Sequence, residues 1–194
     1  MEYRVGLDEL MTILGAWDQA LPIRGKIHLI ACGGTALTLL GYKESTKDVD
    51  LLVPNETEFE KLIHFLRNAG YELVTNDGWK RPDESIIFDL YAGNKIYTTE
   101  LLSSPLIKGG NKTIKEWNKI YLGVINPMDL IISKMFRGTQ VDIDDSLILL
   151  KNEKVDLKEL EKRYKKTAQY DVSEAKTLKN FERLLHSWKK GLKS

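Results

Sequence analysis

Residues 33–53 read GGTALTLLGYKESTKDVDLLV, and this stretch decides the fold. Its glycine pair, Gly33-Gly34, follows the apolar run IHLIA at 27–31, which is typical of a buried strand. The residues after the pair have helical composition as far as Gly41. Glycine lacks a Cβ, and a helix N-terminus offers free N–H groups. The pair therefore predicts a strand-to-helix turn at which the backbone can approach a phosphate.

The second half of the stretch predicts a strand that carries two acids. Asp48 and Asp50 alternate within DVDLLV, and Pro54 closes the strand. Alternate residues of a strand project from the same face, so the two carboxylates lie side by side. Mg²⁺ prefers such hard oxygen ligands, together with phosphates and water. Thirteen residues lie between Gly34 and Asp48, enough for a short helix and a return turn.

A third carboxylate is predicted at Asp89 in the segment IIFDLYAG. This acid interrupts an otherwise apolar strand at 86–91, with Phe88 and Leu90 on one face and Asp89 on the other. A carboxylate inside a buried strand is costly unless it is paired or metal-bound. If this strand lies beside the Asp48–Asp50 strand, Asp89 reaches the same metal ions.

These residues resemble the DNA polymerase beta-like nucleotidyltransferase superfamily. Its signature is a Gly-Gly or Gly-Ser pair, a short helix, an Asp-x-Asp between hydrophobic residues and a third acid on a later strand. The resemblance covers residues 27–150 and is strongest to small bacterial and archaeal members, including AbiEii-like toxins. Those members carry a further C-terminal pattern, matched here by Lys134, Arg137, Asp142 and Asp145.

The resemblance implies in-line attack of a hydroxyl on the α-phosphate of a nucleoside triphosphate. Asp48 and Asp50 would hold two Mg²⁺ ions, and Asp89 would hold the one that activates the hydroxyl. The residues implied at the triphosphate are Gly33, Gly34, Thr35, Lys134 and Arg137.

Two alternatives stay open for the C-terminal pattern. Lys134 and Arg137 are helix neighbours that either contact the triphosphate or are ordinary surface cations. Asp142 and Asp145 either orient those cations or have a structural role, and we favour the structural role for Asp145.

The order of elements predicts an α+β fold, with a nucleotidyltransferase-like mixed β-sheet and flanking helices followed by a helical C-terminal region. We divide the chain into a catalytic core at 1–125 and a helical region at 126–194. Asn126 and Pro127 signal the first helix of that region. Other expected elements are a helix at 7–21, a helix at 56–68, strands at 71–74 and 121–125, a polar turn at 76–84, an extension of the meander at 95–98, and helices at 142–151, 156–166 and 171–191. Residues 103–119 receive no assignment.

Charge is distributed unevenly along the chain. Residues 151–194 hold 13 Lys/Arg and 7 Asp/Glu, a net of +6, so the first 150 residues hold 16 and 21, a net of −5. A basic tail is compatible with a nucleic-acid partner, but Lys-rich exposed helices are also common in soluble proteins.

The remaining polar and aromatic residues carry less information. The scattered His28, His64 and His186 show no ligand spacing, and the lone Cys32 is interpreted as a small core residue. Trp79 is expected in an exposed turn, either stacking on a base or anchoring the turn. Trp17 and Trp188 fall on apolar helix stripes and are expected in the core.

The sequence favours a Mg²⁺-dependent nucleotidyltransferase that acts on a tRNA or protein acceptor, as the toxin of a toxin–antitoxin pair. The alternative is a non-catalytic nucleotide-binding or regulatory module with the same fold. A metal-dependent glycosyltransferase would explain the Asp-x-Asp but not the glycine pair. No secretory leader or membrane span is expected, so we place the protein in the cytoplasm and expect no membrane partner.

Overall fold

The computed structural model describes residues 3–192, and the chain forms two compact units. The first holds the chain up to Asn94 together with Ser103–Ile125. The second holds Lys95–Leu102 together with the chain from Asn126. The predicted α+β class is confirmed, because a mixed sheet precedes a run of helices. None of the helices within 3–192 is long and apolar enough to cross a bilayer.

A seven-stranded mixed sheet forms the centre of the first unit. In spatial order its strands are β10 (Asn111–Glu116), β11 (Ile120–Ile125), β2 (Ile27–Ala31), β4 (Val49–Val53), β7 (Phe88–Ala92), β6 (Gly78–Lys80) and β5 (Glu72–Leu73). β11 pairs with β2 and β4 pairs with β7 in parallel, whereas the other neighbours are antiparallel. A separate two-stranded ribbon joins β1 (Val5–Gly6) to β3 (Ser45–Thr46).

Three helices complete the first unit: α1 (Leu7–Ala20), α2 (Gly33–Leu39) and α3 (Glu56–Asn68). The helical spacing of α1 buries Trp17, as predicted, with its ring centroid 4.7 Å from that of Phe88. The buried Asp18 accepts hydrogen bonds from the backbone N–H groups of Lys119 and Ile120, which attaches the end of α1 to the start of β11.

Several sequence predictions for the sheet were wrong or incomplete. The polar turn at 76–84 contains β6, where Trp79 is 6% exposed, pairs in register with Phe88 and lies under the Arg67 guanidinium. Trp79 is therefore not an exposed stacking residue. The unassigned segment 103–119 contains β10.

The meander was also expected to continue at 95–98, but β8 (Lys95–Ile96) instead pairs with β9 (Thr99–Glu100) in a separate ribbon of the second unit.

The second unit contains four helices: α4 (Pro127–Arg137), α5 (Gln140–Asn152), α6 (Leu157–Ala168) and α7 (Glu174–Gly191). The predicted start of α4 is confirmed, because the Asn126 side chain accepts from the Asp129 N–H at 3.0 Å and Pro127 is the first helical residue. In the core of this unit the Tyr164 ring stacks on Phe181, with centroids 4.3 Å apart.

The ends of α7 differ from the prediction. The capping-box spacing of Asp171 and Glu174 predicts a cap at Asp171 and places Val172 on the apolar stripe. The N-cap is instead Ser173, and Val172 is fully exposed. Gly191, predicted as the C-cap, is the last helical residue. Trp188, expected in the core, is only half-buried.

Candidate active site

Asp50 and Asp89 lie side by side on neighbouring strands. β4 and β7 run parallel, and their register places Asp50 opposite Asp89. Adjacent strands lie about 4.8 Å apart, so the two side chains start from neighbouring positions on the same face. Asp48 immediately precedes β4 and is half-buried, like both partners. The strand pairing required for the assignment of Asp89 is thus present.

The glycine pair forms the first turn of α2 and touches Asp50. The Gly34 N–H donates to Asp50 Oδ2 at 3.2 Å. Gly33 has a φ of 56°, and a Cβ built there would lie 2.1 Å from the same oxygen. At Gly34 a Cβ would lie 2.6 Å from Thr46 Oγ1. Two glycines are needed here because the Asp50 carboxylate occupies the space of a side chain at Gly33 and the Thr46 hydroxyl occupies that at Gly34.

Thr35 fastens the start of α2 to β4. Its buried hydroxyl accepts from the Asp50 N–H at 2.8 Å and donates to the Asp48 carbonyl at 3.2 Å. Thr46 Oγ1 donates to the same carbonyl at 2.9 Å. The Thr35 hydroxyl therefore already donates once and accepts once within the protein, and its contact with a phosphate oxygen stays a prediction.

Asp77 is a fourth acid that the sequence analysis missed. Burial, followed by the nearby charges of Asp48 and Asp77, raises the pKa of Asp89 to about 6. Gly78 is opposite Asp89, and a Cβ there would lie 2.9 Å from Asp89 Oδ1. The turn-like sequence NDG at 76–78 gave no indication that it lies beside β7. Negative charge is therefore concentrated around Asp89.

The donor chemistry of this acidic group suits a hard divalent cation, since carboxylate oxygens are its preferred ligands. Within residues 3–192, however, no three His, Cys, Asp or Glu side chains are arranged to hold a metal ion. Asp50 Oδ2 accepts a hydrogen bond from the Gly34 N–H, and its carboxylate keeps further lone pairs for a cation. Metal ligation by Asp48, Asp50 and Asp89 stays a prediction.

The second unit pairs each cation of the C-terminal pattern with one of its acids. Lys134 Nζ donates to Asp145 Oδ2 at 2.7 Å, and both side chains are about 3% exposed. Arg137 donates two hydrogen bonds to the Asp142 carboxylate, at 2.8 and 2.6 Å, while 59% of the Arg137 side chain remains exposed. This geometry agrees with a structural role for Asp145 and an orienting role for Asp142.

Hydrogen bonding determines the charge of Asp142. Burial raises its pKa, but hydrogen bonds from Arg137 and Thr139 outweigh burial and hold the pKa below its usual value. Asp142 also completes a capping box, because Thr139 accepts from its N–H and donates to its carboxylate. The Arg137–Asp142 pair is therefore built into the start of α5.

The histidines and the cysteine lie apart from the acidic group. Cys32 is fully buried before α2, as predicted. His28 Nδ1 lies 3.0 Å from Glu58 Oε2, and His64 bonds Asn68 on the exposed face of α3. None of these residues joins Asp48, Asp50 and Asp89 in a metal-binding group within residues 3–192.

Substitution of Gly33 tests the contact with Asp50. Gly41 also has a positive φ, 77°, but nothing lies within 4 Å of a Cβ built there. We expect Gly41→Ala to lower the free energy of unfolding by about 1 kcal/mol through backbone strain alone. Gly33→Ala should cost about 1–2 kcal/mol more and move the carboxylate ¹³C resonance of Asp50. Equal urea denaturation curves and an unmoved resonance would contradict the contact.

Substitution of Lys134 tests whether it is structural. Lys134→Met removes the cation beside the buried Asp145 carboxylate, and we expect a loss of about 3–5 kcal/mol in the free energy of unfolding. The double variant Lys134→Met/Asp145→Leu removes both charges and should recover most of that loss. Urea denaturation followed by circular dichroism measures both effects. An unchanged stability in Lys134→Met would show that the pair does not hold α4 to α5.

Comparison with known proteins gives a family match and several similar solved structures. Residues 112–193 match the model of a family described as a nucleotidyltransferase of unknown function (DUF6036). The matched region includes α4 to α7 but not the segment from Gly33 to Asp89. No protein of curated function matches the chain significantly.

The solved structure of MenT4, a nucleotidyltransferase toxin from Mycobacterium tuberculosis H37Rv, is similar with a TM-score of 0.45 and 15% sequence identity. The alignment covers 82% of this chain, which spans only 64% of the length of that toxin. The family model covers less than half of the chain, and it shows that residues 112–193 are similar to a family described as a nucleotidyltransferase.

Proposed function

We propose that the chain is a Mg²⁺-dependent nucleotidyltransferase that transfers a nucleoside monophosphate from a triphosphate to a hydroxyl of RNA, such as tRNA, or of a protein. The observation that supports this most strongly is the register of β4 and β7, which pairs Asp50 with Asp89 beside the glycine turn of α2. That arrangement places carboxylates that can hold cations beside a backbone turn that a phosphate can approach closely.

The proposed role of each acid and glycine follows from its position in the strand or turn that carries it. Asp48 and Asp50 would hold the cations, and Asp89 would hold the cation that activates the acceptor hydroxyl. When bound, Mg²⁺ lowers the pKa of that hydroxyl and neutralises charge on the transferring phosphoryl group. If Asp50 turned towards a cation, the Gly34 N–H that now donates to it would become available to a phosphate oxygen. Gly33 keeps the approach open because it has no Cβ.

Arg137 is the better candidate of the two cations for a phosphate ligand. Its side chain is 59% exposed, and a guanidinium keeps N–H donors after it forks onto Asp142. Lys134 is buried against Asp145, so we assign it the support of α4. We retain residues 1–125 as the proposed catalytic core and 126–194 as the helical region. A toxin role with an antitoxin partner remains part of this proposal, and it rests on the resemblance to AbiEii-like toxins.

A transfer assay tests the proposal. The protein is incubated with each labelled nucleoside triphosphate, Mg²⁺ and either total tRNA or a protein extract. Asp48→Ala, Asp50→Asn and Asp89→Asn should each lower transfer by at least about a hundredfold, because each removes a ligand oxygen from the site. The control Asp83→Ala removes an exposed carboxylate of the same unit and should leave transfer unchanged.

Two outcomes would reject transfer. One is the absence of labelled product with every triphosphate and acceptor. The other is equal labelling by the wild type and Asp48→Ala, which would place the activity elsewhere.

A nucleotide-binding module without turnover is the second candidate. It is favoured by the glycine turn of α2 beside Asp50, because phosphate binding needs this backbone turn but no chemical step. Calorimetry separates the two functions. The module should bind triphosphate in a Mg²⁺-dependent way and yield no product. Its affinity for triphosphate should fall at least about tenfold in Asp48→Ala. Product formation under the same conditions would rule the module out.

A further inference from the structure

A row of basic side chains runs along one exposed face of α7. Its members are separated by three, four, three and four residues, and all are exposed: Lys176, Lys179, Arg183, His186 and Lys190. Residues at these spacings lie one above another on a helix. With a rise of 1.5 Å per residue, the row is about 21 Å long. We call these five residues the cationic row, and its charge is that of the three lysines and Arg183.

The cationic row borders a cleft between α5 and α7. This open cleft has a volume of about 420 Å³. The α5 side contributes Gln140 and Ile143, and the α7 side contributes Lys179, Arg183 and His186, with the acid Glu182 also present. Arg183 Nη1 donates to the Gly138 carbonyl at 3.0 Å. One guanidinium is thereby held at the cleft while its other N–H groups remain available to a ligand.

The lysines of the cationic row lack the carboxylate partners that the lysines of α6 have. On α6, Lys165 pairs with Glu161 at 2.7 Å and Lys162 with Glu159 at 3.7 Å. Among residues 3–192 no ion pair involves Lys176, Lys179 or Lys190. Uncompensated cations in a line create a positive potential that extends along the helix.

The side chains on this face of α7 indicate which kind of partner it binds. The apolar side of α7, with Phe181 and Leu184, is buried within the helical unit. Among the residues that line the cleft, Ile143 is the large apolar one, and it is buried, so this face has little to insert into a membrane or into the core of a protein interface. A phosphodiester backbone needs neither, because Lys and Arg bind phosphates one by one along a strand.

We propose that the cationic row and its cleft bind the phosphodiester backbone of a nucleic acid strand. The inference deepens the proposed function, and rests on it, in that the bound strand would be the acceptor of the transferred nucleotide. Binding itself needs no catalysis, so the two can fail separately.

The test compares two triple variants of the full chain. Lys176→Gln/Lys179→Gln/Lys190→Gln neutralises the cationic row and keeps Arg183. Lys158→Gln/Lys162→Gln/Lys165→Gln removes the same charge from the exposed side of α6. Fluorescence anisotropy with labelled 20-nucleotide RNA and DNA strands, in EDTA and without triphosphate, measures affinity across a salt series.

For the wild type we expect salt-dependent binding of at least one strand. The α7 variant should bind at least about tenfold more weakly, and its slope of log affinity against log salt should fall by about 2, since each lost phosphate contact removes about 0.7. The α6 variant should stay close to the wild type. Arginine at the same three α7 positions should restore binding, which separates charge from any loss of fold.

Several results would overturn the inference. They are no strand binding by the wild type, an equal loss in both triple variants, or binding to vesicles with 30% phosphatidylserine and to neither strand. A preference for RNA or for DNA identifies the strand and supports the inference in either case. Asp48→Ala separates this proposal from catalysis, because it should abolish transfer and leave strand binding unchanged.

Discussion

The contact between Asp50 and the first turn of α2 is the constraint on which the candidate site depends. Residues 32–35 hold Asp50 at three points. The Cys32 N–H donates to its carbonyl, the Thr35 hydroxyl accepts from its N–H, and the Gly34 N–H donates to its carboxylate. Only glycine fits at Gly33, because a Cβ would overlap the carboxylate. The conformation of the strand-to-helix turn and the position of Asp50 on β4 therefore depend on each other.

The position of β4 then determines the rest of the acidic group. β7 pairs with β4 in parallel, which brings Asp89 opposite Asp50, and β6 pairs with β7, which brings Asp77 close. Half-buried carboxylates that repel one another lower stability, and the surrounding sheet must compensate for that repulsion. Such local conflicts are typical of functional sites, where a bound ligand relieves them.

The sequence predicted elements where a local signal sufficed. The bounds of α3 followed from an apolar stripe over 56–68 that stops before Gly70, and the structure adds the Asn55 cap. β6 was missed because a three-residue strand of turn-like composition is recognisable only through its pairing with β7. The role of Asp77 depends on that same non-local pairing. The burial of Lys134 was equally hidden, because a lysine on an amphipathic helix resembles a surface residue until Asp145 of α5 is placed beside it.

The ion pairs of the helical unit leave its net charge on its exterior. Asp129 is buried against Arg163, Asp145 against Lys134, and Asp142 is engaged by Arg137. Each pair uses one acid and one cation, so the excess of Lys and Arg in residues 151–194 lies mainly on exposed helix faces such as that of α7. The first unit shows the converse, because the negative charges of Asp48 and Asp77 lie near the half-buried Asp89. A formal net charge of +1 thus conceals two opposite fields, one that attracts cations and one that attracts phosphates.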